Sequence, residues 1–395
     1  MKYDFDNMIN RRGTGCYKWD VPTEDSIIPM WVADMDFPVA PAIQEALIKR
    51  MEHGIFGYTK VMDSYYDAVS NWMLRRHRWQ IKREWMLYTT GVVPAVSCVI
   101  KALTLPGENI LIQTPVYNCF FSSIKNNGCN IVENALQRKA NSYIIDFDDF
   151  ERQCADEKTT VFLLCNPHNP VGRVWSKEEL ERMNAICKKH NVIVISDEIH
   201  CELVMPDYRF TPFAAVSKAC QDNCITLNSP SKAFNIAGLQ IANIICKNPT
   251  WRRRIDRAVN INEVCDVNPF GPVAVQAAYN ESEEWLESLN QYLWENYQAL
   301  KAFFQKHLPQ IGIIRLEGTY LVWADISATG LTSDEATKKL LDEGKVMVSS
   351  GTLYGKDAGE GYIRINIACP RQRMTEGLTR IGQVLKPYLE NFSTC

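Results

Sequence analysis

Between residues 86 and 245 short apolar runs alternate with helix-patterned segments, and few folds accept such a chain. The runs cover 86–89, 109–113, 130–133, 160–165, 192–197, 224–227 and 241–245. Helical periods fall between them over 118–126 and 177–190. Another starts after the turn Thr90-Gly91-Val92-Val93, where Pro94 suits a first helical turn. Alternating units of this kind predict an α/β fold, a mostly parallel sheet between helices. Ligands then collect at the carboxyl ends of the strands. Gly91, Asp197 and Lys232 all stand at such ends, which points to a single site.

The rest of the chain departs from this rhythm. Residues 1–40 read as an irregular arm, densest at Pro29-Met30-Trp31-Val32-Ala33-Asp34-Met35-Asp36-Phe37-Pro38. A helical period follows over 40–53, and Gly54 stops it. Gly57-Tyr58-Thr59 forms an exposed turn before an amphipathic stretch over 64–78. Beyond Phe270, residues 273–304 read as one long amphipathic helix. Short strands over 311–316, 320–325 and 361–367 then mix with helices over 333–342 and 374–388. The expected organisation is an arm (1–40), a large domain holding the site (41–272) and a smaller α+β domain (273–395) that the arm completes.

At 395 residues the chain can bury a large core. A net charge of −3 with 23% charged residues provides no concentrated basic face for nucleic acid. No apolar run approaches the ~18 residues of a membrane span. The start, Met1-Lys2-Tyr3-Asp4-Phe5-Asp6, has no apolar signal core, so a cytoplasmic protein is expected. The 14 cysteines are scattered without a C-x-x-C pair and read as free thiols. The six histidines show no ligand spacing, so no metal is expected.

The chemistry gathers at Asn228-Ser229-Pro230-Ser231-Lys232-Ala233-Phe234-Asn235, a turn between two apolar strands. A lysine held there is desolvated, which lowers its pKa and favours the nucleophilic amine. Such an amine forms Schiff bases with carbonyl compounds. The run Ile193-Val194-Ile195-Ser196-Asp197 ends in a carboxylate at a neighbouring strand end. A Schiff-base lysine with an aspartate for a pyridinium nitrogen is the protein's half of pyridoxal 5'-phosphate chemistry. Gly91, Val92 and Val93 at a helix start offer N–H groups to a phosphate, and Ser229 and Ser231 add hydroxyls. Tyr117 follows another strand end, where it can stack on a planar ring. The loop Cys165-Asn166-Pro167-His168-Asn169-Pro170-Val171-Gly172-Arg173 reads by itself as an ordinary turn.

Together the ordered set Gly91, Tyr117, Asn169-Pro170, Gly172, Asp197, Ser229-x-x-Lys232 and Arg364 resembles the fold type I pyridoxal-phosphate enzymes, the aspartate aminotransferase superfamily. The resemblance implies that Lys232 is the Schiff-base lysine and Asp197 the pyridinium partner. It implies ring stacking by Tyr117 and a hydrogen bond from Asn169 to the cofactor's phenolic oxygen. Arg364 would grip the substrate α-carboxylate bidentately, with Ala33, Tyr117 and Asn169 also on the substrate side. Tyr58 resembles the tyrosine lent across a homodimer interface to the neighbour's phosphate.

Two positions depart from the common aminotransferase pattern: His200 stands where tyrosine is usual, and Gln240 where arginine is frequent. With the Met30–Phe37, Asn166–Pro170 and Ser229–Lys232 segments they resemble the bacterial cystathionine β-lyase-like C–S lyases of the MalY/PatB type. The activity so implied is β-elimination from an L-cysteine thioether to thiol, pyruvate and ammonia. The alternative is a class I/II aminotransferase, which uses the same residues. A binding or regulatory protein on the same fold is a third reading, against which the intact Lys232 argues.

Overall fold

The computed structural model describes residues 2–261 and 266–390, and its apolar runs form one seven-stranded sheet. The strands are β1 (Met86–Thr89), β2 (Asn109–Ile112), β3 (Asn130–Glu133), β4 (Thr159–Cys165), β5 (Ile193–Asp197), β6 (Cys224–Asn228) and β7 (Ala242–Cys246). They lie in the order β1-β7-β6-β5-β4-β2-β3. β6, β5, β4, β2 and β3 pair in parallel, while β7 runs antiparallel to both its neighbours. The Lys232 turn explains the exception. It carries only the short 3₁₀ piece Ala237–Leu239 and no crossover helix, so the chain re-enters the sheet reversed.

Side chains alternate across the sheet with the period of a strand. Val161 and Leu163 of β4 pack with the helix Val92–Leu103 on one face. Phe162 and Leu164 pack with Trp72, Trp175 and Leu180 on the other. Both faces are therefore dry, which is why these runs are apolar throughout rather than alternating. Among the described residues every cysteine is a free thiol. No described helix is long and apolar enough to cross a membrane.

The stretch predicted as one helix over 273–304 is two, Gly271–Glu281 and Glu283–His307. They part at Ser282, whose hydroxyl donates to the Ala277 carbonyl at 3.0 Å and competes with the helical ladder. Of the strand predicted over 311–316 only Gly312–Ile313 forms. The Arg315 N–H goes to Asn141 and the Leu316 N–H to the Tyr297 hydroxyl, so that backbone is spent outside the ladder. The helix Phe147–Cys154 carries a charged, mixed sequence that periodicity did not single out.

A second, antiparallel sheet joins Gly312–Ile313, Leu321–Asp325, Tyr362–Asn366 and Ser349–Ser350. The arm is stitched to both sheets. Ile28–Pro29 pairs with Val346–Met347, and the Asn366 amide donates to the Val32 and Asp34 carbonyls at 2.6 and 2.8 Å. From the other side the Asn235 amide donates to the Met35 and Phe37 carbonyls at 3.0 and 2.9 Å.

The arm also carries a buried charge cluster. The Asp36 carboxylate accepts from Arg11 at 2.7 Å, Trp19 at 2.9 Å, Lys18 at 3.2 Å and Arg373 at 3.3 Å. Burial pushes this carboxyl up, but Lys18, Trp19, Arg11 and Arg373 outweigh it and hold its pKa below the ordinary range. A depressed folded pKa stabilises the fold above the unfolded value of ~3.9 and loses that stability as pH falls through the folded value. Asp36→Ala removes the buried anion shared by Arg11, Lys18 and Arg373; Arg11 and Lys18 keep Asp34 at 2.7 and 3.4 Å, which holds the cost to the lower end of a broken buried pair, about 3 kcal/mol. Urea unfolding at pH 7 checks this, and a loss under ~1 kcal/mol would show the cluster to be no more than a surface ion pair.

Candidate active site

A cavity of about 290 Å³ opens at the carboxyl edge of the large sheet, and the ends of β1, β2, β4, β5 and β6 contribute to its wall. After β1 come Gly91, Val92 and Val93, and after β2 Tyr117. Asn169 follows β4, Asp197 ends β5 with His200 close behind, and Ser231 and Lys232 follow β6. The arm adds Ala33, and the second sheet adds Arg364. Parallel strands thus bring together residues as far apart as Gly91 and Lys232, and the arm and the second sheet close the wall with Ala33 and Arg364.

Three other sequence positions lie elsewhere. Ser229 does not line the cavity; its hydroxyl donates to the Ile241 carbonyl at 2.6 Å and accepts from the Ser231 N–H at 3.1 Å. Its place is in the turn that sets Lys232. Gln240 is also absent from the wall. Tyr58 is 99% exposed and contributes nothing to the cavity of its own chain.

Asp197 is buried and Lys232 half-buried at the cavity wall, and each is perturbed by desolvation. Desolvation, aided by the Arg364 charge, lowers the Lys232 amine to about 8 against the pull of Asp34 and Asp197. Desolvation likewise raises the Asp197 carboxyl to about 7, offset in part by the Ile199 N–H and by Lys232. The Lys232 Nζ donates to the Ala33 carbonyl at 2.6 Å. Burial, with the charges of Lys232 and Arg364, keeps His200 a neutral imidazole well below its usual pKa.

Arg364 is clamped from three segments. It donates to the Trp31 carbonyl at 2.7 Å and to Asn169 Oδ1 at 3.1 Å, with Ser349 Oγ at 3.5 Å. Its guanidinium sits over the Tyr354 ring at 4.7 Å. The sequence pattern did not reveal Tyr320, whose hydroxyl donates to the same Ala33 carbonyl at 3.0 Å and whose ring meets the edge of His200. Ile199, Ala237 and Ile241 also line the wall. Their signal was present only as the apolar filler between polar residues already singled out.

The donors fit pyridoxal phosphate. The helix Val92–Leu103 starts at the cavity with no side chain capping it, and Gly91 leaves its first turn open. A Cβ at Gly91 would come within 3.3 Å of Pro94 Cδ, in the space beside that turn. His200 Nδ1 and Arg364 Nε are buried polar atoms without a hydrogen-bond partner among the described residues, as a site built for a polar guest requires. Asp197 offers a carboxylate of matched basicity to a pyridine nitrogen.

Comparison with known proteins gives the same answer. The family model described as aminotransferase class I and II matches residues 26–381. The chain is 40% identical to cystathionine beta-lyase PatB of Bacillus subtilis (strain 168), covering 97% of this chain and all of that one. It is 31% identical to protein MalY of Escherichia coli (strain K12), over 97% of this chain and 99% of the other. The crystal structure of cystalysin from Treponema denticola, which contains a pyridoxal 5'-phosphate cofactor, superposes with a TM-score of 0.95. That pair is 36% identical, covering 98% of this chain and all of cystalysin.

If burial sets the Lys232 amine, its reaction with an amine-selective reagent in cofactor-free protein should have a midpoint near pH 8. Arg364→Leu removes a charge that opposes protonation, so the midpoint should move upward. Peptide mapping of the modified lysine against pH measures both. A midpoint at the ordinary lysine value in the unmodified chain would contradict the burial argument.

Proposed function

The chain belongs to the aminotransferase class I and II family, and from that premise we propose that it is a pyridoxal-phosphate-dependent β-lyase acting on L-cysteine S-conjugates such as cystathionine. The observation that carries the reading is the convergence of Lys232, Asp197 and Arg364 on one cavity. The full-length similarity to a cystathionine β-lyase favours elimination over amino transfer.

With cystathionine the balance is substrate plus water to homocysteine, pyruvate and ammonia. The Cα–H and Cβ–S bonds break, and sulfur leaves as a thiolate, a weaker base than an alkoxide. When bound, pyridoxal phosphate supplies the electron sink for the negative charge that develops at Cα. The protein's own residues do the rest. N–H groups of Val92 and Val93 and the Ser231 hydroxyl would hold the phosphate. Asp197 would keep the ring nitrogen protonated, Tyr117 would stack on the ring, Asn169 would donate to the phenolic oxygen, and His200 would contact the cofactor as a neutral imidazole. Arg364 orients the substrate α-carboxylate. Lys232 takes the Cα proton, a task that an amine near pKa 8 suits at neutral to mildly basic pH.

The same reading makes the molecule a homodimer with shared sites. It is supported by the exposed apolar residues Ile48, Met51, Ile55, Phe56 and Met62 flanking the fully exposed Tyr58. A division into arm (1–40), cofactor domain (41–272) and smaller domain (273–395) is supported by the two separate sheets. A cytoplasmic location is supported by the free thiols.

Purified protein loaded with pyridoxal phosphate should release pyruvate and free thiol steadily from cystathionine without any 2-oxo acid. Lys232→Ala should lower that rate by at least about 10²-fold. Turnover that stops until a 2-oxo acid is supplied would make the enzyme an aminotransferase instead.

Tyr58→Phe should weaken cofactor binding by roughly tenfold, the loss of one hydrogen bond to a charged group. Mixing Tyr58→Phe with Lys232→Ala chains should then restore one intact site per dimer if Tyr58 serves its neighbour. Failure of the mixed dimers to bind cofactor better than Tyr58→Phe alone would place Tyr58 outside the site.

A further inference from the structure

A second cavity, of about 310 Å³, shares no wall with the first. Its polar corner is made by His77, the last residue of the helix Asp63–His77, and by Cys201 and Glu202 in the turn after β5. The His77 ring nitrogen, the Cys201 thiol and a Glu202 carboxylate oxygen lie within 4.8 Å of one another. His77 and Cys201 are far apart in sequence, so no ligand spacing announced the group.

Glu202 is buried, which is costly for a carboxylate unless something offsets its charge. Its Oε1 accepts from Trp72 Nε1 at 2.7 Å and lies 2.6 Å from His77 Nε2 and 3.6 Å from Cys201 Sγ. Its Oε2 is buried, has no hydrogen-bond partner among the described residues and lies 3.4 Å from the Arg76 Nε. Arg76 has two other carboxylates within reach, Glu283 at 3.1 Å and Glu287. It can keep those pairs while giving up Glu202.

Thiolate, imidazole and carboxylate together form the donor set of zinc, and three protein ligands beside a cavity leave a fourth position for water. Magnesium and calcium, which demand oxygen ligands, do not suit a thiolate. An outer layer is also in place. The Trp72 N–H steadies the carboxylate, and the Asn290 amide donates to the Glu202 carbonyl at 2.9 Å.

We propose that His77, Cys201 and Glu202 bind one zinc-class divalent cation through Nε2, Sγ and Oε2, with water completing the shell. Binding expels the Cys201 thiol proton and any proton on His77 Nε2, and the Arg76 guanidinium falls back on Glu283 and Glu287. The same turn carries Asp197 and His200 to the other cavity, so the cation fixes a segment whose far end serves the cofactor.

The test uses cofactor-loaded enzyme dialysed against zinc ions, freed of loose metal by gel filtration and assayed for metal per chain. The unmodified protein should retain a single zinc, and its thermal unfolding midpoint should rise with zinc concentration. His77→Gln and Cys201→Ser should each weaken retention by at least about tenfold while the cofactor spectrum and pyruvate formation stay unchanged. No zinc on the unmodified chain, or equal retention and equal thermal shifts in both variants, would overturn the proposal. The His77→Gln variant guards against a Cys201→Ser chain that fails to fold.

Discussion

Keeping an amine and a carboxylate dry at adjoining strand ends is the constraint on which this structure rests. Neither Lys232 nor Asp197 would be stable in a low-dielectric setting without partners placed in advance. The parallel sheet meets the demand by delivering both from β5 and β6, neighbours in register from Val194–Cys224 to Asp197–Leu227. Each group then sits off its ordinary pKa, the amine down and the acid up, toward the same range. Groups tuned that way exchange protons near neutrality, which is what chemistry at a substrate Cα needs.

The arm completes this arrangement rather than decorating it. Residues 30–37 touch the second sheet through Asn366 and the large sheet's Lys232 turn through Asn235. Asp36 gathers Lys18 and Arg11 from the arm itself and Arg373 from the last helix, so the arm's path is fixed by charge as well as by hydrogen bonds. The clamp on Arg364 depends on the same path, since the Trp31 backbone carbonyl accepts from its guanidinium.

Much of this was legible in the sequence because the signals were local. Apolar runs named the strands, Gly91 and Pro94 marked a helix start, and Lys232 and Asp197 stood at strand ends. What escaped is tertiary in origin. The break at Ser282 comes from one hydroxyl choosing the Ala277 carbonyl, and the apolar period continues through it unmarked. The short strand at Gly312–Ile313 ends early because Asn141 and Tyr297, distant in the chain, take the hydrogen bonds of the Arg315 and Leu316 N–H groups. Tyr320 resembled any strand aromatic until the fold set its hydroxyl on Ala33. The reversed β7 follows from what the Lys232 connection lacks, which no residue in that connection declares.

The carbonyl of Ala33 is the meeting point of Lys232 and Tyr320. Because it is a backbone atom, no substitution at position 33 deletes it. The acceptor is set by the course of the main chain, held by the Asn366 amide on the Val32 and Asp34 carbonyls and by the Asn235 amide on the Met35 carbonyl. A residue inserted or deleted between Trp31 and Asp36 would carry that oxygen away from Lys232 and Tyr320 while leaving every side chain of the site in the sequence.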